Sequence, residues 1–339
     1  MSIEFGLDTF GGVTIDDDGR PVDHPTVIRD LVEDGVVADQ AGLDFFGVGE
    51  HHRPDFAVSS PEMVLAAIAA RTSRIRLGSA VTVLSSDDPV RVFERFATLD
   101  AVSNGRAEIV AGRGSFIESF PLFGYDLADY DVLFDEKLDL LSRLLREKPV
   151  TWEGTTRPPL TDQRVYPTTE NGIPTWVGVG GTPESVVRTA QYGFNLFLAI
   201  IGGPPDRFAA YIDLFDRAQD QYGTPRAKVA VHSPGLVADT DAQARELAYD
   251  GWFAMRTKMG RERGWPPPTA TDFENEIVDG SLYLGSPETV ATKIARTLAV
   301  LKVDRFDLKY DQPVPHSVQR RSIELYGDKV IPLVKDMLS

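Results

Sequence analysis

The chain contains no cysteine, which removes disulfides, thiolate nucleophiles, thiolate zinc sites and iron–sulfur clusters together. It is also short of positive charge. With 35 Lys and Arg against 51 Asp and Glu, its formal charge is -16, so phosphate backbones and anionic lipid are repelled, and neither nucleic acid nor a membrane is expected as a partner. An anionic cofactor would need local positive charge or helix N-termini to overcome that field. Long hydrophobic runs are missing too. The longest, Met63 to Ala70, cannot span a bilayer, and Met1 to Asp8 has neither the basic region nor the apolar core of a signal peptide. The expected compartment is the cytoplasm. Two phosphate fingerprints are absent: position 183 is proline where Gly-x-Gly-x-x-Gly would need glycine, and no Gly-Lys-Ser/Thr loop occurs.

What is present is the composition of a globular protein, 42% hydrophobic and 25% charged over 339 residues, enough for a large core. Short runs rich in Val, Ile and Phe recur, each followed by an amphipathic stretch, as parallel βα units require. Strands are expected near Ile3–Leu7, Phe45–Val48, Ile75–Val83, Ala107–Val110, Thr175–Val179, Leu196–Ile200, Lys228–Val231 and Arg305–Lys309. Helix starts are punctuated by Asp23-His24-Pro25, Ser60-Pro61 and Asp88-Pro89. Eight such units predict an α/β fold, a closed (β/α)8 TIM barrel with insertions, spanning residues 1–339 as one domain. The Pro- and Thr-rich stretch 148–173 and the stretch 260–285, with Pro266-Pro267-Pro268, read as insertions.

In such a barrel the chemistry sits just after each strand. Glu50-His51-His52 ends the second strand and holds two of five histidines, which suits proton transfer near neutrality; His51 is the candidate base, the alternative being a histidine packed under its loop. Gly112-Arg113-Gly114-Ser115 follows the fourth strand. Its glycines let an anion or a planar ring approach the backbone while Arg113 supplies a fork of donors; otherwise Arg113 pairs with a neighbouring carboxylate. Gly180-Gly181-Thr182-Pro183-Glu184-Ser185 after the fifth strand combines flexible backbone with a helix start, a possible phosphate cradle. Gly285-Ser286-Pro287-Glu288 has a similar form, so a plain cap is the rival reading. No metal site is expected, because adjacent residues leaving a strand point to opposite sides and no helical His pair accompanies them.

Taken together, Leu77-Gly78-Ser79-Ala80-Val81-Thr82-Val83-Leu84, Asp88-Pro89-Val90-Arg91, Leu99-Asp100, Ser103-Asn104-Gly105-Arg106 and Gly112-Arg113-Gly114, with Glu50-His51-His52 and Gly193, resemble the bacterial luciferase-like flavin-dependent monooxygenase family. The resemblance implies a non-prolyl cis peptide at Ala80–Val81 against which a flavin ring lies, His51 as a base near its reacting face, Arg113 near the phosphate, and Gly180, Gly181, Thr182 and Ser185 at the phosphate-binding helix start. The reactive cysteine of the light-emitting members falls at Gly112, and nothing here argues for bioluminescence. The activity implied is that of a monooxygenase, acting on a small organic substrate with O2 and reduced FMN (FMNH2) from a separate flavin reductase, in a possible homodimer. Alternatives are F420-dependent hydride transfer on the same fold, a metal-dependent barrel hydrolase using His51 and His52, and a non-catalytic flavin-binding subunit. The loops Phe116–Asp129 and Gly260–Gly285 are candidates for excluding water, with Phe116, Phe120, Phe123 and Tyr125 as an apolar lid.

Overall fold

The structure, a computed structural model, describes residues 3–114 and 116–339; Met1, Ser2 and Ser115 of the Gly112–Ser115 run lie outside the described residues. Eight parallel strands close on themselves: β1 (Glu4–Thr9), β2 (Phe45–Val48), β3 (Arg76–Ser79), β4 (Ala107–Gly112), β5 (Thr175–Val179), β6 (Asn195–Ala199), β7 (Val229–Val237) and β8 (Arg305–Lys309). Each pairs with its sequence neighbour, and β8 returns to β1 through Phe5↔Phe306 and Leu7↔Leu308. This is the (β/α)8 barrel that the alternation predicts.

The two-residue period of a strand sorts its side chains into two cores. Phe5, Leu7, Phe46, Val48, Val177, Val231 and Leu308 face outward into the layer shared with the helices. Phe45, Val110, Trp176, Phe197 and Ala230 form a separate cluster inside the barrel. In that interior stands Arg305, 0% exposed. Its Nη1 donates to Glu108 Oε2 at 2.7 Å, its Nε lies 3.2 Å from Asp307 Oδ2, and its guanidinium covers Phe45 at 3.9 Å and Trp176 at 4.3 Å. Trp176 Nε1 donates to the same Glu108 oxygen at 2.9 Å. Burial pushes Asp307 up to about 8, and Arg305 opposes that shift. Charge and aromatic rings thus plug the lower barrel, and the open space begins above them.

The three punctuated helix starts are real. Helices run over His24–Gln40, Pro61–Ala69 and Pro89–Ser103, with Asp23 and Asp88 each accepting a bond from a first-turn amide. Both insertions carry more structure than expected. Within 148–173, Val150–Trp152 and Leu160–Gln163 pair as an antiparallel hairpin. A helix from Asp241 runs into the second stretch as far as Arg263, where Gly264 adopts a left-handed cap. Ala270–Val278 is a helix held by a Thr269–Asp272 capping box, and Tyr283–Gly285 adds a short strand. That strand pairs with Gly235–Val237, so β7 runs well past Val231; Pro234 and Gly235 carry turn propensity that this extra partner overrides. Among the described residues no helix is long and apolar enough to cross a membrane.

Arg305→Met is expected to leave Glu108 buried with only the partly exposed Arg76, 3.1 Å from its Oε1, as a counter-charge, and to lower stability by about 3 kcal/mol in denaturant unfolding, with Arg305→Met/Glu108→Gln recovering much of the loss. A single-variant loss below about 1 kcal/mol would contradict the plug.

Candidate active site

Above the plug, at the carboxyl ends of the strands, opens a cavity of ≈ 480 Å³, within the range of about 300–1,000 Å³ usual for small-molecule sites. All eight residues singled out in the sequence line it: His51, Ala80, Val81, Arg113, Gly180, Gly181, Thr182 and Ser185.

The Ala80–Val81 peptide is cis, at the position the resemblance indicates. Neighbouring strands are cut down to receive it. A Cβ on Gly112 would lie 2.6 Å from Val81 Cγ2, and one on Gly178 2.8 Å from Val81 Cγ1, so the Val81 side chain occupies space left by glycines on β4 and β5. Glu50 holds the segment that follows. Its amide donates to Val81 O at 3.2 Å, its Oε2 accepts from Val83 N at 2.9 Å, and its Oε1 lies 2.9 Å from His52 Nε2. The sequence marked Glu50 as part of a motif without a task; its bracing role needs the fold to be seen.

Arg113 lies at another end of the cavity. It reaches Asp131 Oδ1 at 3.0 Å, the carboxylate pairing that the rival reading anticipated, and it also donates to Thr182 Oγ1 at 3.1 Å. Thr182 Oγ1 in turn lies 3.2 Å from Ser185 Oγ. Thr182 is the N-cap of the helix Pro183–Tyr192 yet makes no side-chain capping bond. By contrast, Ser286 of the similar Gly285–Glu288 run accepts from Thr289 N in the ordinary way. Two alike sequences therefore do different things, one a plain cap and the other a hydroxyl turned to Arg113. Around them Tyr130 and Tyr211 donate to Gly114 O and Gly181 O at 2.8 and 2.7 Å and fix the glycine loops. Among the described residues Arg113 is the one Lys or Arg lining the cavity.

His51 and His52 diverge. His52 turns to Glu50, whereas His51 is caged by Phe56 at 4.3 Å, Phe10 at 4.8 Å and Phe116 at 5.3 Å between ring centroids. Burial in that cage pushes the His51 imidazole down to about 3. It is therefore a neutral ring at ordinary pH rather than the group titrating near neutrality that residue type suggests, and its buried Nε2 has no partner among the described residues. The two histidines do not form one ligand set, and no group of three or more His, Asp or Glu able to hold a metal occurs among the described residues.

Sequence reasoning missed Phe10, Phe197 and His232, which also line the cavity. Ending β7 at Val231 hid His232; extended by one residue, the inward register of Ala230 carries it into the barrel. The two stretches expected as candidates for excluding water meet at Arg53, which donates to Glu118 Oε1 and, on the last turn of the Asp241–Arg263 helix, to Glu262 Oε1 at 2.7 Å each and covers Phe116 at 4.3 Å. Phe120 is buried in its loop, but Phe123 is 50% exposed, so the expected apolar lid is in part a surface.

Known proteins agree with this architecture. A 4-hydroxyprotoasukamycin monooxygenase of Streptomyces nodosus subsp. asukaensis is 34% identical over 68% of this chain and 64% of its own. The oxygenating constituent of 3,6-diketocamphane monooxygenase from the CAM plasmid of Pseudomonas putida, solved in complex with FMN, superimposes with a TM-score of 0.80 at 19% identity over 98% of this chain and 99% of that one. The coenzyme F420-dependent tetrahydromethanopterin reductase of Methanopyrus kandleri does so with a TM-score of 0.74 at 20% identity over 98% and 99%. At those identities the two structures speak for the fold alone. Residues 9–305 match the family described as luciferase-like monooxygenase, and the chain belongs to it.

Proposed function

We propose that the protein is an FMN-dependent monooxygenase that takes reduced flavin from a separate reductase and acts with O2 on a small organic substrate. The observation that carries this reading is the polarity of the cavity: a cis Ala80–Val81 floor flanked by Gly112 and Gly178, and one guanidinium beside an uncapped helix start. That combination suits a flat, largely apolar ring ending in a single phosphate. Arg113, Thr182 and Ser185, with the backbone of Gly180 and Gly181, would hold the phosphate, and Ala80 and Val81 would lie against the ring. The F420 side chain carries a phosphodiester and a run of glutamates. A lining with one cation, in a chain of net charge -16, favours the smaller anion.

When bound, reduced FMN supplies the electrons that activate O2. The protein's own residues shield and orient. Phe10, Phe56 and Phe116 surround His51 with apolar surface, and Arg53, over Phe116, joins Glu118 to Glu262, which would keep water from the ring. His51 Nε2, neutral and without a partner, offers a hydrogen bond to the bound ligand.

Titration with each cofactor tests the reading: FMN binds and F420 does not, and added reduced FMN drives O2 consumption. Tight F420 binding without FMN binding would overturn it. Arg113→Ala is expected to weaken FMN by about 1.5–3 kcal/mol, roughly 10- to 150-fold, while leaving riboflavin unchanged, since only the phosphate meets the guanidinium. Gly112→Ala pushes against Val81 and is expected to weaken FMN and riboflavin alike, by roughly 5- to 150-fold for an overpacking cost of about 1–3 kcal/mol. Gly112→Ala/Val81→Ala restores binding, and a Gly112→Ala protein of normal affinity would mean that the ring lies elsewhere.

The pH dependence of stability reports on His51. Between 6.5 and about 3 the unfolded chain binds a proton that the folded ring refuses, so stability falls as pH drops through that window, by up to about 1.4 kcal/mol per pH unit. His51→Asn should flatten the curve there. Identical curves for the two proteins would show that His51 protonates freely in the native state.

A further inference from the structure

His232 and Asp8 form a pair that the reading above leaves without a task. They project into the barrel from β7 and β1, above the Arg305 plug, and His232 Nδ1 lies 2.7 Å from Asp8 Oδ2. The His232 ring is 2% exposed and lines the cavity. Its Nε2 is buried with no partner among the described residues. A polar atom left this way normally meets a ligand or water. A carboxylate on the far nitrogen fixes the tautomer with hydrogen on Nδ1, which leaves the Nε2 lone pair toward the cavity and provides a counter-charge once the ring gains a proton.

Position separates this imidazole from the flavin wall. In the closed strand order β7 lies opposite β3, after which the cis peptide comes directly. Phe10 stands between the two imidazoles, 4.8 Å from His51 and 6.0 Å from His232, and Phe197 flanks His232 at 5.5 Å. A ring lying on Ala80–Val81 therefore leaves His232 and these phenyl groups for the organic substrate.

We propose that His232, with Asp8 behind it, is a catalytic base that takes the proton of an acidic hydroxyl on an aromatic or enolic substrate. The proposal rests on the monooxygenase reading for its place in turnover. In the step, the substrate O–H bond breaks, its electron pair stays on oxygen, and the proton forms an N–H bond at His232 Nε2; the imidazolium is paired with Asp8, and the proton returns to oxygen or passes to water at the end of the cycle. Chemistry limits the class. A phenol or enol gives up its proton far more readily than an aliphatic alcohol, which brings it within reach of an imidazole backed by a carboxylate. Phenyl walls at Phe10 and Phe197 favour a planar partner. Ionisation would also raise electron density on the ring carbons ortho and para to the oxygen, where an electrophilic oxygen atom attacks.

The test uses 4-nitrophenol, whose ionised form is read directly in its absorbance, added to the FMN-loaded protein below the pH at which the free phenol ionises. The expected result is a bound phenolate band in the wild type, reduced at least tenfold in His232→Gln and in Asp8→Asn at unchanged FMN affinity, which certifies an intact cavity. If His232→Gln does not fold, Asp8→Asn, which keeps the shape, carries the comparison. A neutral spectrum for bound 4-nitrophenol, no binding at all, or a phenolate band that survives both substitutions overturns the proposal. Failure of the flavin reading is separately visible: FMN would not bind, while the phenolate band would still form in the flavin-free protein.

Discussion

Arg305 is a full positive charge placed where water cannot reach it, and its partners come from across the barrel: Glu108 on β4, Asp307 on its own strand, and the faces of Phe45 on β2 and Trp176 on β5. A buried guanidinium is tolerable only when its charge is met nearby; among the described residues Nη1 alone makes a hydrogen bond, and two carboxylates with two ring faces surround the rest of the group, which ties those strands together. It also divides the interior. Below and at the level of Arg305 the barrel is filled with aromatic rings and charge. Above it several positions shrink, to Ala80, Gly112, Gly178 and Ala199, all of which line the cavity and leave room for it beside the larger Phe197 and His232.

Much of this was legible in the sequence because it is periodic. Alternation of apolar runs located all eight strands, though the third ends at Ser79 rather than Val83 and the seventh continues from Val231 to Val237, and Asp-His-Pro, Ser-Pro and Asp-Pro marked helix starts, since capping and proline chemistry are local. The site was legible for a different reason: Glu50-His51-His52, Gly112-Arg113-Gly114 and Gly180–Ser185 lie directly after strands, where a barrel puts its ligands. Their company was not. That Val81 needs glycine at both 112 and 178 is a relation between three strands, and no local window contains it. His232 was lost because Pro234 and Gly235 look like a turn until Tyr283–Gly285 is seen pairing with them.

Electrostatics made the larger revision. Residue type assigns histidine to proton transfer near neutrality, yet His51, among three phenyl rings, is held neutral by burial. His232, two strands beyond β5 in the barrel order, has a carboxylate on its far nitrogen. One residue type in one cavity thus presents a ring caged by phenyl groups and a ring held by an aspartate side chain. Only the surroundings of each distinguish them. Likewise Thr182 and Ser286 open similar helices, but Arg113 draws Thr182 away from capping.

In the proposed function the flavin ring, its phosphate and the substrate take three separate walls of one cavity, and a crystal structure of the protein with FMN tests that most directly. The result it predicts is a ring against Ala80–Val81 with the phosphate between Arg113, Thr182 and Ser185, and with His232 on the side left open. A phosphate bound away from Arg113, or a ring stacked over His232 in place of the Ala80–Val81 floor, would contradict it.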